Sequence, residues 1–95
     1  MPLSTQRIHD WLSEAGLNPK LSASYLIHQM LMEALPAQRR KIYCRVYDAG
    51  KRGILSERIA ADLKLSQVSV DNALLELYRF DLLIRTERRN EYGLY

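Results

Sequence analysis

The sequence predicts a mostly α-helical domain that carries a small β-hairpin. Apolar residues recur at helical spacing in five successive stretches, each opened by a serine or a proline. After Leu83 the period changes from helical to alternating, as a half-buried strand requires. The chain has 95 residues, 47% of them apolar and 26% charged, which suits one domain with a single core and excludes a disordered composition.

The first helix opens at Leu3-Ser4. The Ser4 oxygen is placed to accept a first-turn N–H, Leu3 to staple on Ile8, and the stripe runs through Trp11, Leu12 and Ala15 to Gly16. Asn18-Pro19 is a connector, because proline disfavours helix for the residue before it. Leu21-Ser22 repeats the cap and staple, with Leu26 as partner, and opens a second helix that is apolar over a wide arc at Leu26, Ile27, Met30, Leu31 and Leu35. Pro36 breaks that helix and suits the first position of the third, where its missing N–H costs nothing. The third helix, about Ala37 to Ala49, sets Ile42, Tyr43, Val46 and Tyr47 on one side, with Arg39, Arg40 and Arg45 largely on others, until Gly50 ends it.

Residues 53–83 organise the remainder. Ile59, Ala60 and Leu63 form a short helical stripe, Leu65-Ser66 interrupts it, and Val70, Leu74 and Leu77 form a second stripe. Ser56 and Ser66 each stand one residue before a stripe as N-caps, and Leu65 can staple on Val70. Ile84, Thr86 and Arg88 then alternate with Arg85 and Glu87, Arg89-Asn90 forms a turn, and residues 91–95 return as a second strand.

This stretch resembles the helix-turn-helix of winged-helix transcription regulators: a short strand at Gly53-Ile54-Leu55, a support helix, a Leu-Ser turn, a recognition helix over 66–80, and a wing over 84–95. The resemblance covers roughly residues 38–95 and implies a winged helix-turn-helix (37–95) preceded by two N-terminal helices (1–36). It departs from the pattern at Asp81, where such domains usually close the recognition helix with glycine.

The formal charge of +3 is unevenly spread. Arg7 and Lys20 oppose Asp10, Glu14 and Glu33 before residue 38, whereas from Gln38 onward twelve basic residues oppose eight acidic ones. The resemblance implies that Gln67, Ser69 and Asn72, at the outer N-terminal part of the recognition helix, meet base edges; Gln and Asn suit adenine and Ser several bases. Arg85, Arg88 and Arg89 would bind phosphate or enter the minor groove from the wing. Lys51, Arg52, Lys64 and Ser66, with the Arg39-Arg40-Lys41 run, are candidate backbone contacts.

The wide apolar arc of the second helix points to a homodimer through Trp11, Leu26, Ile27, Met30 and Leu31. The expected function is therefore sequence-specific binding of double-stranded DNA by a dimeric transcriptional regulator, a repressor by default at this size, with recognition helices about 34 Å apart. The competing expectation is a winged-helix protein-interaction module, an assembly subunit or adaptor, to which Asp71, Glu76 and Asp81 are better suited. Single Cys44 and scattered His9 and His28 make no zinc spacing, and no catalytic motif appears, so no enzyme activity, metal or cofactor is expected. No apolar run approaches the ~20 residues of a membrane span, and no secretion signal opens the chain; the expected location is cytoplasmic, at the nucleoid if DNA is bound.

Overall fold

A computed structural model describes residues 4–21, without the Leu21 side chain, and 24–95. Among these residues the chain forms α1 (Thr5–Glu14), a 3₁₀ turn (Pro19–Leu21), α2 (Tyr25–Ala34), α3 (Ala37–Ala49), a second 3₁₀ turn (Gly50–Arg52), β1 (Ile54–Leu55), α4 (Ser56–Leu63), α5 (Gln67–Arg79), β2 (Ile84–Arg85) and β3 (Glu91–Gly93). The fold is thus mostly helical with one small antiparallel sheet, in the order β1-β3-β2.

Local chemistry sets most helix ends. The Ser4 hydroxyl accepts from Arg7 N at 3.2 Å and opens α1. Beyond α1, Gly16 takes φ +76°, and Leu17 N donates back to Leu12 O. This is a Schellman closure, in which a left-handed residue turns two N–H groups back onto orphan carbonyls. The same closure ends α5: Asp81 N donates to Tyr78 O, Leu82 N donates to Leu77 O, and Asp81 takes φ +65°. The motif's apolar contact is available because both Leu77 and Leu82 are fully buried. Lys64 closes α4 in the left-handed region at φ +55°.

Three caps differ from expectation. Helix α2 starts at Tyr25, with Ser24 in extended conformation accepting from Ile27 N at 3.4 Å, so the helix opens later than a cap at Ser22 would place it. The Leu3 staple, the Ser22 cap and the Leu21 staple lie outside the described residues. Pro36 is the cap of α3 rather than its first residue: ψ 151° is extended, and its carbonyl accepts the first helical bond, from Arg40 N. Ser56 is the first residue of α4 and is buried, while extended Leu55 precedes it without a side-chain cap bond.

The hairpin is shorter than its alternation implies. Thr86 accepts from Arg88 N at 3.2 Å and donates to Glu91 Oε1 at 2.6 Å. These local bonds compete with ladder pairing and divert residues 87–90 into an irregular tip. The register pairs Ile54 with Tyr92 and Leu55 with Glu91 on one side of β3, and Ile84 with Gly93 and Arg85 with Tyr92 on the other.

One core runs through all five helices and the sheet. Ile8 and Leu12 of α1 and Ile27 and Leu31 of α2 join Ile42, Tyr43, Ile59, Leu74, Leu77 and Leu83 in one buried cluster. Leucine and isoleucine contribute about 1.5–3 kcal/mol each when fully buried, so the N-terminal helices stabilise the rest of the fold directly. No helix among the described residues is long and apolar enough to cross a membrane.

Candidate functional site

Helix α5 buries Val70, Ala73, Leu74 and Leu77. At 100° per residue, the line directly opposite that stripe is Val68, Asn72, Leu75 and Arg79. All four are exposed. The Ser66 oxygen accepts from Ser69 N at 3.1 Å, and the Ser66 hydroxyl donates to the Ser69 oxygen at 2.8 Å. That double tie fixes the first turn of the helix.

Both amide hydrogens of Gln67 are committed within the chain. Its Nε2 donates to the Ser56 hydroxyl at 3.0 Å and to Asp71 Oδ1 at 2.9 Å. Of the three residues expected at base edges, Gln67 and Ser69 are therefore held by neighbours. Asn72 alone makes no side-chain hydrogen bond or ion pair among the described residues. Sequence reasoning passed over Val68, the most exposed apolar residue of α5 at 69%. Its position two residues before buried Val70, on the opposite side of the helix, was a usable signal.

The hairpin tip lies beside the first turn of α5. Arg89 and Asn90 line a depression of about 330 Å³ together with Ser56, Gln67 and Asp71. Arg88, itself largely exposed, reaches the mostly covered Glu91 carboxylate at 3.7 Å in a loose pair, and Arg89 makes no side-chain bond or ion pair among the described residues. Arg85 is placed differently: its guanidinium carbon lies 5.6 Å from the Tyr78 ring centroid and 5.9 Å from that of Tyr92, tying β2 to α5. Burial pushes the Tyr92 hydroxyl up from its ordinary value, with Asp71 and Tyr78 adding to the rise and Arg85 opposing it.

The other basic candidates separate into two groups. Lys51, Arg52 and Lys64 are exposed, in the second 3₁₀ turn and at the end of α4. Arg39 and Arg40 serve the fold instead: Arg39 Nε donates to Glu76 Oε2 at 2.6 Å, bracing α3 on α5, and Arg40 donates to the Met32 carbonyl at 3.1 Å.

The proposed dimer surface needs correction. Ile27 and Leu31 are 2% and 0% exposed within the chain's own core, because that part of the apolar arc of α2 is covered by its own domain. Met30 packs partly against that core, leaving Trp11 and Leu26 at the surface.

No protein-family model, curated protein or solved structure matches the chain.

Proposed function

We propose that this protein binds double-stranded DNA as a winged helix-turn-helix transcriptional regulator, with α5 entering the major groove and the 84–95 hairpin lying over the adjacent minor groove. The observation that carries the reading is the shared depression in which Arg89 of the hairpin tip stands beside Gln67 and Asp71 of the first two turns of α5. A helix whose N-terminal half points outward, flanked by a basic hairpin, suits base edges and phosphates together. Exposed Lys64 and Arg88 add positive charge near that helix, against Glu57 and Asp71 in the lining of the depression.

The test is fluorescence anisotropy on random-sequence duplex DNA at two salt concentrations. Micromolar binding that weakens steeply with salt supports the reading. Replacing Arg88 and Arg89 with alanine then lowers the salt slope by about one unit for each phosphate no longer neutralised. Absence of binding at low salt overturns it.

A second reading has its own observation. Val68, Leu75 and Tyr78 are 69%, 39% and 38% exposed on α5, which also suits an apolar protein partner. In that case the Arg88 and Arg89 substitutions leave the complex intact, whereas Leu75→Glu breaks it.

A further inference from the structure

We infer that Val68 and Asn72 are the pair through which α5 reads sequence, and that the DNA it selects presents a thymine methyl and an adenine edge to them. This rests on the DNA-binding reading above and gives that reading a base preference.

The inference comes from elimination along one helix face. In the first two turns of α5, Gln67 spends both amide hydrogens on Ser56 and Asp71, Asp71 accepts one of them, and Ser69 is tied to Ser66. A bidentate amide contact by Gln67 must first break a bond inside the protein, and the orientations of Asp71 and Ser69 are set by the bonds they already make, although Asp71 Oδ2 and the Ser69 hydroxyl hydrogen stay uncommitted among the described residues. Asn72 keeps both its amide donors and its acceptor uncommitted among the described residues, and it lies on the outermost line of the helix. Val68 is one turn earlier on the same line and is 69% exposed. Side chains four apart on a helix stand about 5–6 Å apart, and stacked base pairs are separated by about 3.4 Å, so the two reach neighbouring positions of one site.

The chemistry of each end is specific. An asparagine amide matches the N6 donor and N7 acceptor of adenine in a bidentate pair. A valine isopropyl group has no hydrogen-bonding role; in the major groove the apolar group it can meet is the C5-methyl of thymine. In the free protein that side chain gains little from water, and its β-branch makes it a poorer helix former than alanine. A methyl contact in the groove gives valine an apolar partner that the fold does not supply.

Duplexes selected from a random-sequence pool by the wild-type chain test this. The selected sequence is expected to hold A·T pairs where α5 docks. Changing the contacted thymine to uracil, which removes only the methyl, is expected to weaken wild-type binding about fourfold, the effect of one buried methyl group. Val68→Ala, whose side chain is shorter, is expected to discriminate thymine from uracil less than the wild type does, and Asn72→Ala to lose the preference for A·T over G·C at its position. Both residues are exposed, and a thermal melt matching wild type confirms that each variant folds. Indifference of the wild type to uracil at every thymine overturns the inference, as does a Val68→Ala variant that prefers thymine as strongly as the wild type does. A pool that shows no enrichment, despite salt-sensitive binding to random duplex, overturns the inference and leaves DNA binding standing. Absence of binding to any duplex at low salt overturns the DNA-binding reading itself.

Discussion

The side-chain amide of Gln67 donates to the hydroxyl of Ser56 at 3.0 Å, joining the first turn of α5 to the first residue of α4. Ser56 is buried, and its own N–H donates to Asn90 O at 2.8 Å, so the same residue also anchors the hairpin tip. The relative placement of two helices and the hairpin thus converges on one small side chain. Ser56→Ala keeps the backbone bond and removes the hydroxyl, a loss of about 1 kcal/mol for one hydrogen bond. For a domain of this size that corresponds to a melting temperature lower by about 4–8 °C. An unchanged melt would mean that water replaces the hydroxyl without loss.

Asp81 occupies the left-handed position of the Schellman closure after α5, at φ +65°. A residue with a Cβ is strained there, and glycine is not. Asp81→Gly is expected to stabilise the chain by about 0.5–1 kcal/mol, partly offset by the extra freedom of glycine in the unfolded state. Lys64, at φ +55° after α4, is expected to respond in the same direction. A lower melting temperature for Asp81→Gly would show that its side chain does more for the fold than its backbone costs.

These helix ends were legible because they are local: the Ser4 and Ser66 caps, Gly50 after α3 and the position of Asp81 each depend on a few adjacent residues. What was not legible depends on packing between distant segments. A wide apolar arc on α2 looks the same whether its own core or a second copy covers it, so the sequence alone points Ile27 and Leu31 toward a dimer interface. Ser56 has the sequence context of a cap, yet the hydroxyl is used by Gln67, eleven positions away. At the candidate site, Asn72 was readable from the helix period. The commitment of Gln67 depends on how α4 lies against α5, which no periodicity reports.

Gly93 illustrates a glycine whose role is tertiary. A methyl group there would stand 3.0 Å from the Gly50 carbonyl oxygen and 3.2 Å from the Gly53 Cα. The close approach also supports the bond from Leu94 N to Gly50 O at 3.1 Å. Backbone atoms cannot yield as a flexible side chain can, so Gly93→Ala forces β3 away from the turn after α3. Overpacking of this kind costs about 1–3 kcal/mol. Urea unfolding is expected to show a lower midpoint with an unchanged slope; an unchanged midpoint would mean that the strand shifts freely.

Cys44 is expected to be a slow nucleophile. Burial pushes its thiol up from the ordinary value, the Asp48 carboxylate adds to the rise, and Arg40 opposes it. The Cys44 Sγ also lies 3.4 Å from Met32 Sδ. Only the thiolate reacts readily, so alkylation by iodoacetamide at pH 7 is expected to be slower in the folded protein than in urea, and to accelerate above the ordinary thiol range. Because the folded thiol holds its proton more tightly, its contribution to stability is present below the unfolded value and is lost as pH rises through the folded one. Equal labelling rates with and without urea would argue for an accessible thiol that the fold leaves unperturbed.

Asp62 joins two arginines at the α3–α4 contact. Its Oδ2 accepts from Arg45 at 2.6 Å and from Arg58 at 3.4 Å, and Arg45 also lies 4.0 Å from Asp48. The Arg45 hydrogen bond is the main reason that the Asp62 carboxyl is held below its ordinary value; partial desolvation opposes it, and the Arg58 charge assists. A carboxylate with a lowered folded value stabilises the protein above its unfolded value, and that contribution disappears as pH falls through the folded one. Asp62→Asn is therefore expected to melt below wild type at pH 7, and the gap is expected to narrow as the pH is taken below the ordinary carboxylate range of about 4. Added salt is expected to narrow it too, because the pair is open to solvent. A gap that stays constant from neutral to acid pH would assign the effect of Asp62 to its shape rather than to its charge.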